Sequence, residues 1–171
     1  LYVGDRWNER IRRVNIATAT VTTLAGSGSS AYADGIGVSA SFQGPHHLRI
    51  SSDSAYLYVA EYLNHVVRVV EIATSTVSTL AGSGSGAGVT DGGDFADGIG
   101  TNALFNGPAG IFLSGDGTTL YVGETSGSRV RVVGTGRRLR LLSAGETETL
   151  AGSGSSGSSG GIGTAATFND L

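Results

Sequence analysis

The feature that most restricts the fold is a threefold internal repeat. Leu1-Tyr2-Val3 recurs as Leu57-Tyr58-Val59 and Leu120-Tyr121-Val122, at spacings of 56 and 63 residues. Leu24-Ala25-Gly26-Ser27-Gly28 returns at 80–84 and 150–154, and Phe42, Phe105 and Phe168 lie 63 residues apart each time. A period of this length marks one supersecondary unit per repeat, unable to bury its apolar face alone and stabilised by its neighbours. The repeats span approximately 1–56, 57–119 and 120–171 and are expected to form one domain over 1–171. The longer middle repeat carries extra residues around 86–95, and the third has its own insertion near 137–142.

Within the middle repeat, four segments at 46–50, 56–61, 65–72 and 76–81 are rich in Val, Ile, Leu, Tyr and Thr and are bounded by Gly, Asn, Ser or Asp. Such short β-favouring runs predict four antiparallel strands per repeat, since none reaches the length of a mean helix. A count of 29 Gly in 171 residues adds the expectation of many turns. The runs Val66-Val67-Arg68-Val69-Val70 and Arg129-Val130-Arg131-Val132-Val133 are apolar on both faces, so each strand needs packing partners on both sides. Radially stacked four-stranded sheets provide that, and the predicted fold class is all-β, a β-propeller.

The ordered series Leu-Tyr-Val-x-[Asp/Glu], Asn64-His65-Val66-Val67-Arg68, Thr79-Leu80-Ala81-Gly82, Ala96-Asp97-Gly98-x-Gly100, Phe105 and Gly107-Pro108-Ala109-Gly110-Ile111 resembles the NHL-repeat β-propellers across all three repeats. The Asn-His pair becomes Asn8-Glu9 in the first repeat and Gly127-Ser128 in the third, and Gly160 replaces the loop Asp in the last. The resemblance implies blades running from an inner strand after Gly-Pro to an outer strand ending in Leu-Ala-Gly. Three blades would follow, the first lacking its inner strand because Leu1 starts at the second, in an open or partial ring. Phe42, Phe105 and Phe168 are expected to be buried between blades. Open blade faces leave apolar side chains in water, so the expected partners are other protein chains, either copies of this one or the rest of a longer propeller, in a ring or a filament.

Composition removes several chemistries. The chain has no Cys, no Met and no Lys, all 11 basic residues being Arg. Disulfide scaffolds, thiolate metal sites, Cys nucleophiles, Walker-type phosphate loops and Schiff-base lysines are thereby excluded. A chain starting at Leu1 without Met is expected to be processed, trimmed or partial. A formal charge of −3 argues against nucleic acid as partner. No run approaches the roughly 18 apolar residues of a membrane span, so no membrane insertion is expected.

Candidate chemistry remains at a few positions. An acid and an Arg recur in register as Asp5 with Arg12, Glu61 with Arg68 and Glu124 with Arg131, which predicts ion pairs within or between blades, each contributing about 0–1 kcal/mol if exposed. His46, His47 and His65 raise the question of zinc, but adjacent strand residues point to opposite faces, and His65 is expected to satisfy a turn. The loops Ala33-Asp34-Gly35-Ile36-Gly37 and Ala96-Asp97-Gly98-Ile99-Gly100 carry one carboxylate each and predict Asx-type turns rather than calcium sites, with Asp91 and Asp94 as further oxygen donors in the middle loop. The Ser/Gly tract matches a dinucleotide loop at 152–157 and a nucleophile elbow at 157–161, without the helix both need. Arg10, Arg12, Arg13, Arg137, Arg138 and Arg140 are the groups that would touch phosphate.

No catalytic, cofactor-binding or metal residue is assigned, and no cofactor is expected. The leading expectation is a non-enzymatic propeller module for protein interaction or structural assembly. The alternative, implied by the resemblance, is a lyase-type enzyme with a metal in the central channel near His46 and His47; the third is an RNA-binding propeller. Ser/Thr/Gly richness and the resemblance suggest an extracellular protein with O-glycans on its Ser/Thr loops, whereas no Asn-x-Ser/Thr acceptor is present.

Overall fold

The computed structural model describes residues 1–84, 95–136 and 143–169. Asp91, Asp94, Arg137, Arg138 and Arg140, with most of the two insertions, lie outside the described residues.

Three antiparallel sheets follow one another along the chain. The first contains β1 (Tyr2–Asp5), β2 (Arg10–Asn15) and β3 (Thr20–Ala25) in that order. The second is built from β4 (Gly35–Ile36), β5 (Pro45–Ile50), β6 (Tyr56–Glu61), β7 (Val66–Glu71) and β8 (Thr76–Ala81), ordered β4-β8-β7-β6-β5. The third has β9 (Gly98–Ile99), β10 (Pro108–Leu113), β11 (Thr119–Glu124), β12 (Arg129–Gly134) and β13 (Glu146–Ala151), ordered β10-β11-β12-β13-β9. The four strands predicted for the middle repeat coincide with β5 to β8 to within one residue at each end. Strand β1 packs beside β5 and β5 beside β10, giving the open, unclosed ring of a partial NHL-like β-propeller.

Each of the two complete blades is a four-stranded meander plus a short fifth strand donated by the preceding repeat. Gly35 and Ile36 pair with Val77 and Thr76 of β8, while Gly98 and Ile99 pair with Thr147 and Glu146 of β13. The Ala-Asp-Gly-Ile-Gly loops, expected to be simple turns, thus clasp the outer edge of the next sheet. Two residues are too few to show a strand period in sequence. The unpaired edge of the outer strand, which needs hydrogen-bond partners, recruits them.

Alternation along β6 explains why the middle blade is apolar on both sides. Leu57 and Val59 join a core with Ile11, Leu24 and Phe42 toward the first sheet. Tyr58 and Ala60 join a second core with Phe105, Ile111 and Val122 toward the third. Phe42 and Phe105 are each 0% exposed, as expected of interblade plugs. Phe168 departs from that expectation and is only half-buried, because no described sheet lies beyond it. The outward faces at the ends of the arc leave Val3, Val21, Tyr121 and Leu150 substantially exposed.

Candidate functional site

The inner strands begin at Gly-Pro, and this corner is latched to the previous blade. Gly44 N–H donates to Glu9 Oε2 at 2.6 Å, and Gly107 N–H donates to His65 Nδ1 at 3.0 Å. Glu9 and His65 occupy the same register position and both have left-handed backbone, φ 53° and 57°. The expectation that His65 serves a turn is met, with the addition that its ring spans two blades. Glu9 replaces it without loss because the position requires an acceptor rather than an imidazole.

The acid–Arg column is the second interblade device. Arg68 Nη1 donates to Glu61 Oε1 at 2.5 Å, and Arg68 Nη2 donates to Asp34 Oδ1 at 2.6 Å. Arg131 repeats this with Glu124 at 2.9 Å and Asp97 at 2.8 Å. In both clamps the Arg and Glu side chains are fully buried, so the weak pairing expected for exposed ions applies only to Asp5 and Arg12, 3.6 Å apart and partly exposed. A bulge recurs in register opposite each Arg: the pairing shifts at Ile11/Arg12, Val67/Arg68 and Val130/Arg131, with Leu24, Leu80 and Leu150 as the extra residues on the outer strands. Burial pushes the Glu61 and Glu124 carboxyls above the usual range, against the opposing pull of Arg68 and Arg131. Asn64 donates to Glu61 Oε2 at 2.6 Å. Gly127 stands at the Asn64 position of the third repeat, and Glu124 Oε2 is consequently buried without a partner.

These contacts dispose of several candidates. Asp34 and Asp97, the loop carboxylates considered for calcium, are engaged by arginine and by the hydroxyls of Thr79 and Thr149. Arg10 is turned inward to the carbonyls of Asn8 and Ser27. His46 and His47, expected on opposite faces of the strand, instead border one and the same concavity, the pairing of β5 being irregular between Pro45 and His47, and His47 Nδ1 accepts from Ile111 N–H at 3.0 Å across the blade boundary. Among the described residues, no three His, Cys, Asp or Glu side chains are grouped to hold a metal. The Ser/Gly tract is followed by a single 3-10 turn, Gly163–Ala165, rather than the helix its two motifs require.

What remains is a concavity of about 640 Å³ at the mouth of the arc, where the loops after the second strands meet the starts of the inner strands. Arg6, Tyr62 and Thr125 hold equivalent positions in the three repeats and all line it. His46 and His47 from β5 and Ala109 and Gly110 from β10 complete the wall. Tyr62 Oη and Ser126 Oγ bridge two blades at 3.0 Å. The Arg6 guanidinium carbon lies 4.9 Å from the Trp7 ring centroid and 5.5 Å from that of Tyr62. Trp7 is 82% exposed, and Leu63 at the equivalent position is 39% exposed. Sequence reasoning had not singled out Arg6, Trp7 or Tyr62. The signal was present as the point where three otherwise constant motifs diverge, immediately after Leu-Tyr-Val-x-[Asp/Glu], with the single Trp beside it.

Three antiparallel sheets in an arc, latched corner to corner through repeated interblade contacts, define a β-propeller repeat protein. No family model matches the sequence. NHL repeat-containing protein 2 of Homo sapiens is 30% identical over 140 residues, covering 78% of this chain and 18% of that protein. Its Bos taurus counterpart is 29% identical with the same coverage. A solved auxiliary nutrient binding protein from Bacteroides ovatus ATCC 8483 is 25% identical and superposes with a TM-score of 0.63 over 77% of this chain and 33% of its own. The chain belongs to the NHL-repeat β-propeller family. It spans 18% of the length of these curated relatives.

Proposed function

We propose that this chain is a non-enzymatic propeller module that binds other protein through the concave face around Arg6, Trp7 and Tyr62. The observation that carries this is the exposure of Trp7 at 82% on loops whose equivalents from three repeats converge on one concavity. An exposed aromatic beside a guanidinium is the composition enriched at protein interfaces, and function in repeat propellers sits on such loops. Residues 1–171 act as one unit of three repeats, at approximately 1–56, 57–119 and 120–171. The half-exposed apolar groups at the ends of the arc, Val21 and Leu150 among them, support further protein contacts there, made by another copy or by additional blades. An extracellular or periplasmic setting is supported by the likeness to a nutrient-binding protein and by the Ser/Thr-rich loops, which would carry any O-glycans.

The test is paired capture from native extract with the wild-type chain and the double variant Trp7→Ser, Leu63→Ser. Loss of specific partners in the variant, with unchanged thermal unfolding, is the expected result. An identical partner set for both proteins overturns the assignment of the face.

A further inference from the structure

The concavity at the mouth of the arc has a one-sided charge arrangement. The strand-end acids Asp5, Glu61 and Glu124 immediately precede the wall residues Arg6, Tyr62 and Thr125, yet each is turned into its own sheet. There they are held by Arg12, Arg68 and Arg131 respectively. No carboxylate among the described residues lines the concavity. Arg6, by contrast, has no hydrogen-bonded or ion-paired partner among the described residues, and its Nε is buried without one. Its guanidinium is flanked by ring faces, 4.9 Å from Trp7 and 5.5 Å from Tyr62, contacts that attract it without neutralising its charge.

Two imidazoles share the wall. His47 uses Nδ1 as acceptor for Ile111 N–H at 3.0 Å, so in its neutral form the proton sits on Nε2, which is left as a donor. His46 lies with its ring 6.3 Å from Tyr62. The surface therefore presents donors and a cation beside aromatic rings, with each strand-end acid already paired with an arginine of its own sheet.

Resting on the reading of this face as a protein-binding one, we propose that Arg6 is the anchor for an Asp or Glu side chain of the partner, whose neighbouring apolar residues pack on Tyr62 and Trp7. Charge complementarity selects this occupant: a planar guanidinium takes a carboxylate in a bidentate fork. One unpaired arginine is enough for a single carboxylate but not for a nucleic-acid backbone, whose binding requires several cations along a track.

The test is calorimetric titration of the full chain, with emission of Trp7, its only tryptophan, as a local reporter. The probes are a short acetylated, amidated peptide of alternating Leu and Glu, its Leu/Gln counterpart, benzoate and an oligothymidylate. Saturable binding of the Glu peptide with a Trp7 response, weakened about tenfold or more for the Gln peptide and for the Arg6→Gln variant, is expected of a charge-assisted contact. Equal binding of the Glu and Gln peptides overturns the carboxylate anchor while the interaction face stands. Silence from both peptides overturns the anchor whether or not the capture experiment succeeds. Benzoate binding as tightly as the Glu peptide overturns the assignment to a protein segment, and tighter oligothymidylate binding assigns the site to nucleic acid instead.

Discussion

Asp34 accepts a hydrogen bond from Arg68 Nη2 at 2.6 Å, tying a loop of the first repeat to the third strand of the second blade. The same guanidinium reaches back to Glu61 on its own sheet, so one side chain joins a fully buried acid to a half-exposed one. Asp97, Arg131 and Glu124 repeat the arrangement at the next boundary.

The two acids of a clamp are expected to contribute very differently. Arg68→Met leaves Glu61 buried and unpaired and should destabilise the fold by about 3–5 kcal/mol. Asp34→Asn, at a side chain 51% exposed, should cost only about 0–1 kcal/mol. Urea unfolding of the two variants checks this, and comparable losses would contradict it.

The interblade plugs should be graded by what covers them. Phe42→Ala and Phe105→Ala each empty a fully buried site and are expected to cost about 3–5 kcal/mol. Phe168→Ala, where the ring is only partly buried, should cost clearly less. Thermal unfolding of the three single variants gives the order.

Acid should loosen the boundary between the second and third blades. Burial, with Arg49 and His46 nearby, holds the His47 pKa below its ordinary value of 6.5. The folded state thus prefers the neutral ring that accepts from Ile111, and the unfolded chain takes up the proton first. Stability from this group is present above pH 6.5 and is lost as pH falls through the lower folded value. Unfolding midpoints measured at stepwise lower pH should decline less steeply for His47→Gln than for the wild type.

Two glycines with positive φ should tolerate a methyl group unequally. At Gly82, φ 105°, an added Cβ would stand 2.6 Å from the His65 carbonyl oxygen, so Gly82→Ala is expected to cost upward of ~3 kcal/mol in strain and displaced backbone. At Gly100, φ 59°, nothing lies within 4 Å, and Gly100→Ala should cost about 1–2 kcal/mol for the left-handed backbone alone. Equal midpoints in urea would show that the chain at Gly82, just past the end of β8, gives way more easily than its packing implies.

The repeat registers, the strands β5 to β8 and the open propeller were legible in the sequence because each rests on local signals: β-branched runs, Gly-bounded turns and a period that returns three times. The pairing of Glu61 with Arg68 was legible too, since both lie in one hairpin. Tertiary structure alone decided that Gly35-Ile36 and Gly98-Ile99 become strands, since their partners sit on the far edge of the next sheet. It decided that Asp34 completes a clamp rather than a turn, and that Glu9 and His65 do one job despite unlike chemistry. It also assembled the concavity of Arg6, Tyr62 and His46, whose residues are up to 56 positions apart. Local propensity carries no information about such distances, because which loops meet is set by how one blade packs on the next.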